Sequence, residues 1–123
     1  MFDPKDLKFT KEHEWISPDG TVGISDHAQK ELGDVVFVEL PKLSADLKKG
    51  QEMGVLESVK SVSSIYAPAD GKVVKINEKL SQTPELVNQE PYGQGWIAKL
   101  ELSDRKQSGE LMSHADYIAF AGK

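Results

Sequence analysis

Residues 50–71 alternate apolar and polar side chains around a single central lysine, Lys60, and that pattern leaves few folds open. Alternating, β-branched-rich runs favour strands with one face buried and the other in water. Two such runs joined by a short connector make a hairpin, which places Lys60 at or beside its tip. The neighbours Ser58, Val59 and Ser61 are small, so nothing bulky beside it in sequence covers the amine. A lysine fixed on a rigid scaffold and offered outward is what a modifying enzyme requires. Taken alone, the stretch 57–61 reads as an ordinary solvated turn lysine, so its surroundings decide.

Those surroundings are of the same kind. His13 to Ser17 reads as a short strand that stops at the turn Pro18-Asp19-Gly20, and Thr21 to Ile24 returns as its partner. Asp26, with Gln29 three residues on, predicts the N-cap of a short helix that Gly33 ends. Residues 34–40 form the strongest strand pattern, closed by Pro41, and 44–50 read as a polar connector. After the lysine hairpin, Pro68-Ala69-Asp70-Gly71 is a second tight turn leading into a strand at 72–77. Its likeness to the turn before Thr21 hints at two similar halves. Thr83 and Pro84 predict another helix start, 88–95 a loop, 96–102 a strand, and Ser113 with Asp116 a capping box for a terminal helix. Many short strands between Gly and Pro turns indicate a β-rich α+β domain: two small antiparallel sheets packed face to face, with short flanking and C-terminal helices. No linker divides the chain. The expectation is one domain over 1–123, with the lysine hairpin at 50–71 and a C-terminal helical segment at 108–122.

Several function classes are excluded. The net charge of -5, with lysines and acids interspersed, argues against a nucleic-acid partner. No apolar run approaches the ~18 residues of a membrane span. The acidic start Met1-Phe2-Asp3-Pro4 lacks the marks of a signal or transit segment, so a cytoplasmic location is expected. With no cysteine there is no thiolate nucleophile and no disulfide, and any sulfur redox chemistry must come from a cofactor. Gly93-Gln94-Gly95 has dinucleotide-fingerprint spacing, but it enters a strand rather than a helix. His13, His27 and His114 are far apart and none has a His-x-x-x-His partner, so no metal site is expected. The inventory favours a carrier or binding module over an enzyme.

His13-Glu14-Trp15, the block from Val22 to Gln29, the block from Leu32 to Pro41, Glu57-Ser58-Val59-Lys60-Ser61, Tyr66-Ala67-Pro68, Pro84 to Asn88 and Pro91-Tyr92-Gly93 follow one another in a specific order. In this the chain resembles, over almost its whole length, the family of glycine cleavage system H proteins. The residues around the lysine differ from the Asp-Lys-Ala of 2-oxoacid dehydrogenase lipoyl domains and from the Met-Lys-Met of biotin carriers. The resemblance implies a lipoyl/biotinyl-type barrel-sandwich hybrid with lipoate joined to Lys60 through an amide. Glu57, Ser58, Val59 and Ser61 would be the hairpin context recognised by a lipoate ligase or lipoyl transferase. It implies a non-catalytic, monomeric carrier that takes an aminomethyl group from a pyridoxal-phosphate glycine decarboxylase to a tetrahydrofolate-dependent aminomethyltransferase. The reduced arm would then go to dihydrolipoamide dehydrogenase, which uses FAD and NAD. Glu14 is the expected carboxylate of a cleft for the loaded arm, with Ser64 beside it. The family often has Ser before His-Glu-Trp and Asp a few residues after the lysine, where this chain has Glu12 and Ser64. A relay protein donating lipoate to 2-oxoacid dehydrogenases would share all these features and stays open as an alternative.

Overall fold

Alternation and turn chemistry build nine strands among residues 2–122, the part of the chain that the computed structural model describes. They are β1 (Lys8–Phe9), β2 (Glu14–Ile16), β3 (Thr21–Ile24), β4 (Val35–Glu39), β5 (Asp46–Leu47), β6 (Glu52–Ser58), β7 (Val62–Tyr66), β8 (Gly71–Ile76) and β9 (Ala98–Leu102). Four short helices interrupt them: α1 (Asp26–Leu32), α2 (Leu86–Gln89), α3 (Lys106–Gly109) and α4 (His114–Ala121). One sheet runs β1-β2-β3-β9-β8-β5 and the other β4-β6-β7, with every pairing antiparallel. The two strands that follow the similar turns, β3 and β8, flank β9 on opposite sides. No described helix is long and apolar enough to cross a membrane.

The inward residues of both sheets share one core. Val22 and Ile24 of β3, Val73 of β8 and Leu100 of β9 pack with Val35 and Val38 of β4, Leu56 of β6 and Ile65 of β7. β2 is buried on both faces, because its alternation sends Ile16 into that core and Trp15 into a second cluster with Leu7, Phe9 and Tyr117. The second cluster holds α4 against the strands, and Tyr117 stacks on Phe9 with ring centroids 4.5 Å apart. The Trp15 indole N–H is shared between the carbonyls of Ile24 (3.0 Å) and Pro91 (3.1 Å), which ties the first hairpin to the loop after α2.

Several boundaries differ from the sequence reading, each for a local reason. The N-cap of α1 is Ser25, whose hydroxyl accepts from the Ala28 N–H at 3.1 Å; Asp26 instead uses its carboxylate on the Gln29 amide and Lys30. At Pro84 the chain first makes a turn closed by the Leu86 N–H on the Thr83 carbonyl, so α2 starts at Leu86 and takes in Asn88. The 44–50 connector holds β5, which pairs with β8. The C-terminal segment is not one helix: Met112 exchanges backbone hydrogen bonds with Phe9, which separates α3 from α4. The Ser113 cap is as expected, accepting from the Asp116 N–H.

Gly23 faces Trp15 across the β2–β3 pairing, and a Cβ there would lie 2.6 Å from the indole ring carbons. The indole is fully buried and cannot move aside. Gly23→Ala is therefore expected to lower the unfolding free energy by about 1–3 kcal/mol, as overpacking does. Gly109→Ala, with open space around the added methyl, should stay within about 0.5 kcal/mol of the parent in the same urea titration.

Candidate functional site

The β6–β7 hairpin carries Lys60 at its tip, exposed on a turn that its own side chains close. The Ser58 hydroxyl accepts from the N–H of Lys60 (3.2 Å) and of Ser61 (3.0 Å), and donates to the Ser61 carbonyl (3.2 Å). The Ser58 N–H reaches the same carbonyl at 2.8 Å, and the Val59 N–H donates across to the Asp34 carbonyl at 3.1 Å. The turn backbone is thus fixed from inside and from the neighbouring strand, while Val59 points outward at 70% exposure.

The lysine stem lies over the end of α1. A Cβ on Gly33 would sit 3.1 Å from the Lys60 Cε, and Gly33 has φ 81 and ψ -166, a region that only glycine occupies readily. Asn88 fixes this corner: its side chain accepts from the Val35 N–H (2.8 Å) and donates to the Gly33 carbonyl (2.8 Å) and to Gln29 (3.1 Å). Its place in a loop pattern gave no sign of that role. Among the described residues no carboxylate pairs with the Lys60 ammonium, so the amine is open to acylation, which would remove its charge. Glu57, the Phe37 opposite it on β4 and the Val62 opposite it on β7 form a cross-strand row behind the turn, in which Phe37 and Val62 are exposed.

Glu14 lies on the same side of β2 as Ile16, towards β7, and only 2% of it is exposed. One carboxylate oxygen accepts from the Thr10 hydroxyl at 2.6 Å and the other from the Tyr66 N–H at 3.1 Å, so Glu14 seals the open edge of β7 at its last residue. Burial pushes its pKa above the ordinary glutamate value, against the pull of these two bonds. Glu14 lines a cleft of about 320 Å³ with Phe9, Thr10, Glu12, Tyr66 and Met112. Ser64, two residues before Tyr66 on β7, is not among the lining residues: its hydroxyl donates to Glu52 on β6.

A second groove, also about 320 Å³, runs beside the turn between Ser61, Val62 and Ser63 on one side and His13, Glu31 and Leu32 on the other. Glu12 lines both grooves. Folding brings His13 and His27 together, with ring centroids 5.1 Å apart, although their spacing in sequence gave no hint of it. Burial, and then the charge of His27, lower the His13 pKa.

Comparison with known proteins places this geometry. The glycine cleavage H-protein family model matches residues 7–123. A glycine cleavage system H protein of Symbiobacterium thermophilum is 56% identical over 120 residues, covering 95% of this chain and 94% of its own. One from Koribacter versatilis is 53% identical, covering 98% and 94%. The crystal structure of a glycine cleavage system H protein from Mycobacterium marinum superposes with a TM-score of 0.88 at 35% identity, covering 98% of this chain and 100% of that one. With its two antiparallel sheets and short helices matched over nearly their full extent, the chain belongs to the glycine cleavage H-protein family.

Proposed function

We propose that this protein is the lipoyl-bearing carrier of the glycine cleavage system, with lipoate attached to Lys60, and that it is not itself a catalyst. The observation that carries the reading is an exposed lysine on a turn whose backbone is held by the Ser58 hydroxyl and the Asp34 carbonyl. The site fits such a group: the amine has no carboxylate partner among the described residues, and the bare Gly33 leaves room along the stem. Lipoate, when bound, supplies a dithiolane that accepts and gives up an aminomethyl group and two electrons at the end of a long arm.

The chain's own residues have two tasks. The turn presents Lys60 to the attaching enzyme, a lipoate ligase or lipoyl transferase, with Glu57, Val59 and Ser61 around it as recognition elements. The Glu14 cleft receives the far end of the arm. Tyr66 lies roughly 20 Å along the strand from Lys60, at about 3.3 Å per residue, and the groove beside Ser61 to Ser63 shares Glu12 with the cleft. An ionised Glu14 in a sheltered, largely apolar cleft favours a positively charged amine and limits the approach of water. Because the Ser64 hydroxyl is engaged by Glu52, Thr10 takes the supporting role that sequence assigned to Ser64. The partners in this reading are glycine decarboxylase, aminomethyltransferase and dihydrolipoamide dehydrogenase. They would meet the face that exposes Val59, Val62 and Phe37 around the lysine. The relay reading has nothing in its favour beyond Lys60 itself.

Two experiments test this. Protein co-produced with a lipoate ligase should gain one lipoyl-sized mass increment mapped to Lys60. Lys60→Arg should gain none, and Ser58→Ala, which frees two turn N–H groups at a cost of about 1 kcal/mol, should be modified several-fold more slowly. A biotin-sized increment, or a lipoyl group elsewhere, would overturn the reading. The second concerns Glu14. Its raised folded-state pKa means that its contribution to stability is full below the ordinary glutamate range and is lost as pH rises through the raised value. The unfolding free energy of the parent minus that of Glu14→Gln should therefore fall with rising pH across that window and level off above it. Urea titrations between about pH 4 and pH 8 bracket the change; a difference that does not vary with pH would mean that Glu14 is solvated.

A further inference from the structure

We propose that His13, His27 and Glu31 form a binding site for a divalent transition ion, with Zn²⁺ the best fit. One ligand atom from each lies within 4.8 Å of the others. His27 and Glu31 are one turn apart on α1, and their side chains already touch through Nε2 and Oε1. His13 lies in the bend just before β2, where a φ of 72 turns it towards α1 and backbone bonds to Thr10 (3.2 Å) and from Ser25 (2.9 Å) hold it. Two imidazoles and one carboxylate are a recurrent zinc set, and imidazole suits borderline ions better than Mg²⁺ or Ca²⁺.

The outer contacts fit a metal ligand. A ligating histidine ordinarily gives its other ring N–H to an acceptor, which orients the ring. The His13 Nδ1 lies 2.7 Å from the Tyr117 hydroxyl, which lies 2.6 Å from the Ser25 hydroxyl. With donors running from His13 to Tyr117 to Ser25, the Nε2 lone pair is left for the ion. Ligand bonds of about 2.0–2.2 Å place tetrahedral ligand atoms roughly 3.4 Å apart, so the touching His27 and Glu31 atoms must part while the widest pair, at most 4.8 Å apart, closes. Glu31, with 66% of its side chain exposed, is free to make that move. His13 and Glu31 both line the groove beside the lysine turn, which leaves a fourth position open to water. An ion held there would stand next to the path of anything carried on Lys60.

The test uses the full unmodified chain, which has no cysteine to compete for zinc and only one further histidine, His114. Calorimetric titration with ZnCl₂ should show one saturable site per chain, and Co²⁺ should give the visible absorption of a tetrahedral N/O site. His27→Gln should weaken Zn²⁺ at least tenfold, Glu31→Gln and Tyr117→Phe several-fold, and His114→Gln not at all. Circular dichroism and a melting curve establish that each variant is folded, and the exposed Glu31→Gln stands in if His27→Gln is not. Absence of stoichiometric binding would overturn the proposal. So would parent-like affinity in both His27→Gln and Glu31→Gln, or loss of binding confined to His114→Gln.

Discussion

A lysine can be read by an enzyme only if the backbone beneath it holds still, and here one hydroxyl does most of that holding. Ser58 satisfies two turn N–H groups and one carbonyl that would otherwise turn to water. A turn of this length leaves Lys60 no strand partner, so without Ser58 the tip would sample many conformations. The anchorage continues inward: Val59 is bonded to Asp34, and Asn88 pins the neighbouring residues Gly33 and Val35. The position of the amine is therefore set by three segments far apart in sequence, which makes the lysine a property of the fold rather than of its local peptide.

The far end of the same hairpin is organised by the opposite rule. Placing a carboxylate where only 2% of it meets water is costly unless hydrogen bonds replace the lost hydration. Thr10 and the Tyr66 N–H supply two such bonds, each worth about 1.5–3 kcal/mol to a charged acceptor. The raised pKa shows that the compensation is incomplete. A neutral amide would offer one acceptor oxygen where Thr10 and Tyr66 use two, so local hydrogen bonding already favours a carboxylate, at the residual cost of its burial. The cationic cargo proposed for the cleft would supply the counter-charge that burial leaves unmet. Departures from the most stable choice concentrate where a protein must act.

Much of this was legible in the sequence because it rests on local periodicity. The alternation around Lys60 gave β6, β7 and the exposed tip, and the Pro-Asp-Gly and Pro-Ala-Asp-Gly turns located β3 and β8. The misses are non-local. β1 and β5 are two residues each, too short to show a period, and exist only because β2 and β8 offer them an edge. Asp26 and Ser25 are both good caps, and the choice fell to the residue whose backbone is extended, with φ -73 and ψ 164. Asn88 looks like loop filler until α1 and β4 converge on its amide. His13 and His27 meet only because β2 pairs with β3, which bonds the His13 carbonyl to the Ser25 N–H at the start of α1, and no spacing rule along the chain reports that. Ser64 followed from the family resemblance, which often has an acid there, but the pairing of β6 with β7 hands its hydroxyl to Glu52.

The exposed apolar side chains follow from the same division of labour. Val59, Val62 and Phe37 are largely exposed, and all three stand around the turn. A carrier that visits several enzymes in succession cannot build a large interface with any one of them, because slow release would stall the cycle. A small apolar patch next to the reactive arm gives brief contacts of the size typical of transient encounters. Meanwhile the tether keeps the group at high effective concentration near whichever active site is engaged. The net charge of -5 works alongside this, keeping copies of the chain apart while leaving the patch free for partners with basic entrances. Under the proposed attachment, the surface would keep affinity low and the covalent link at Lys60 would supply the persistence that the surface does not.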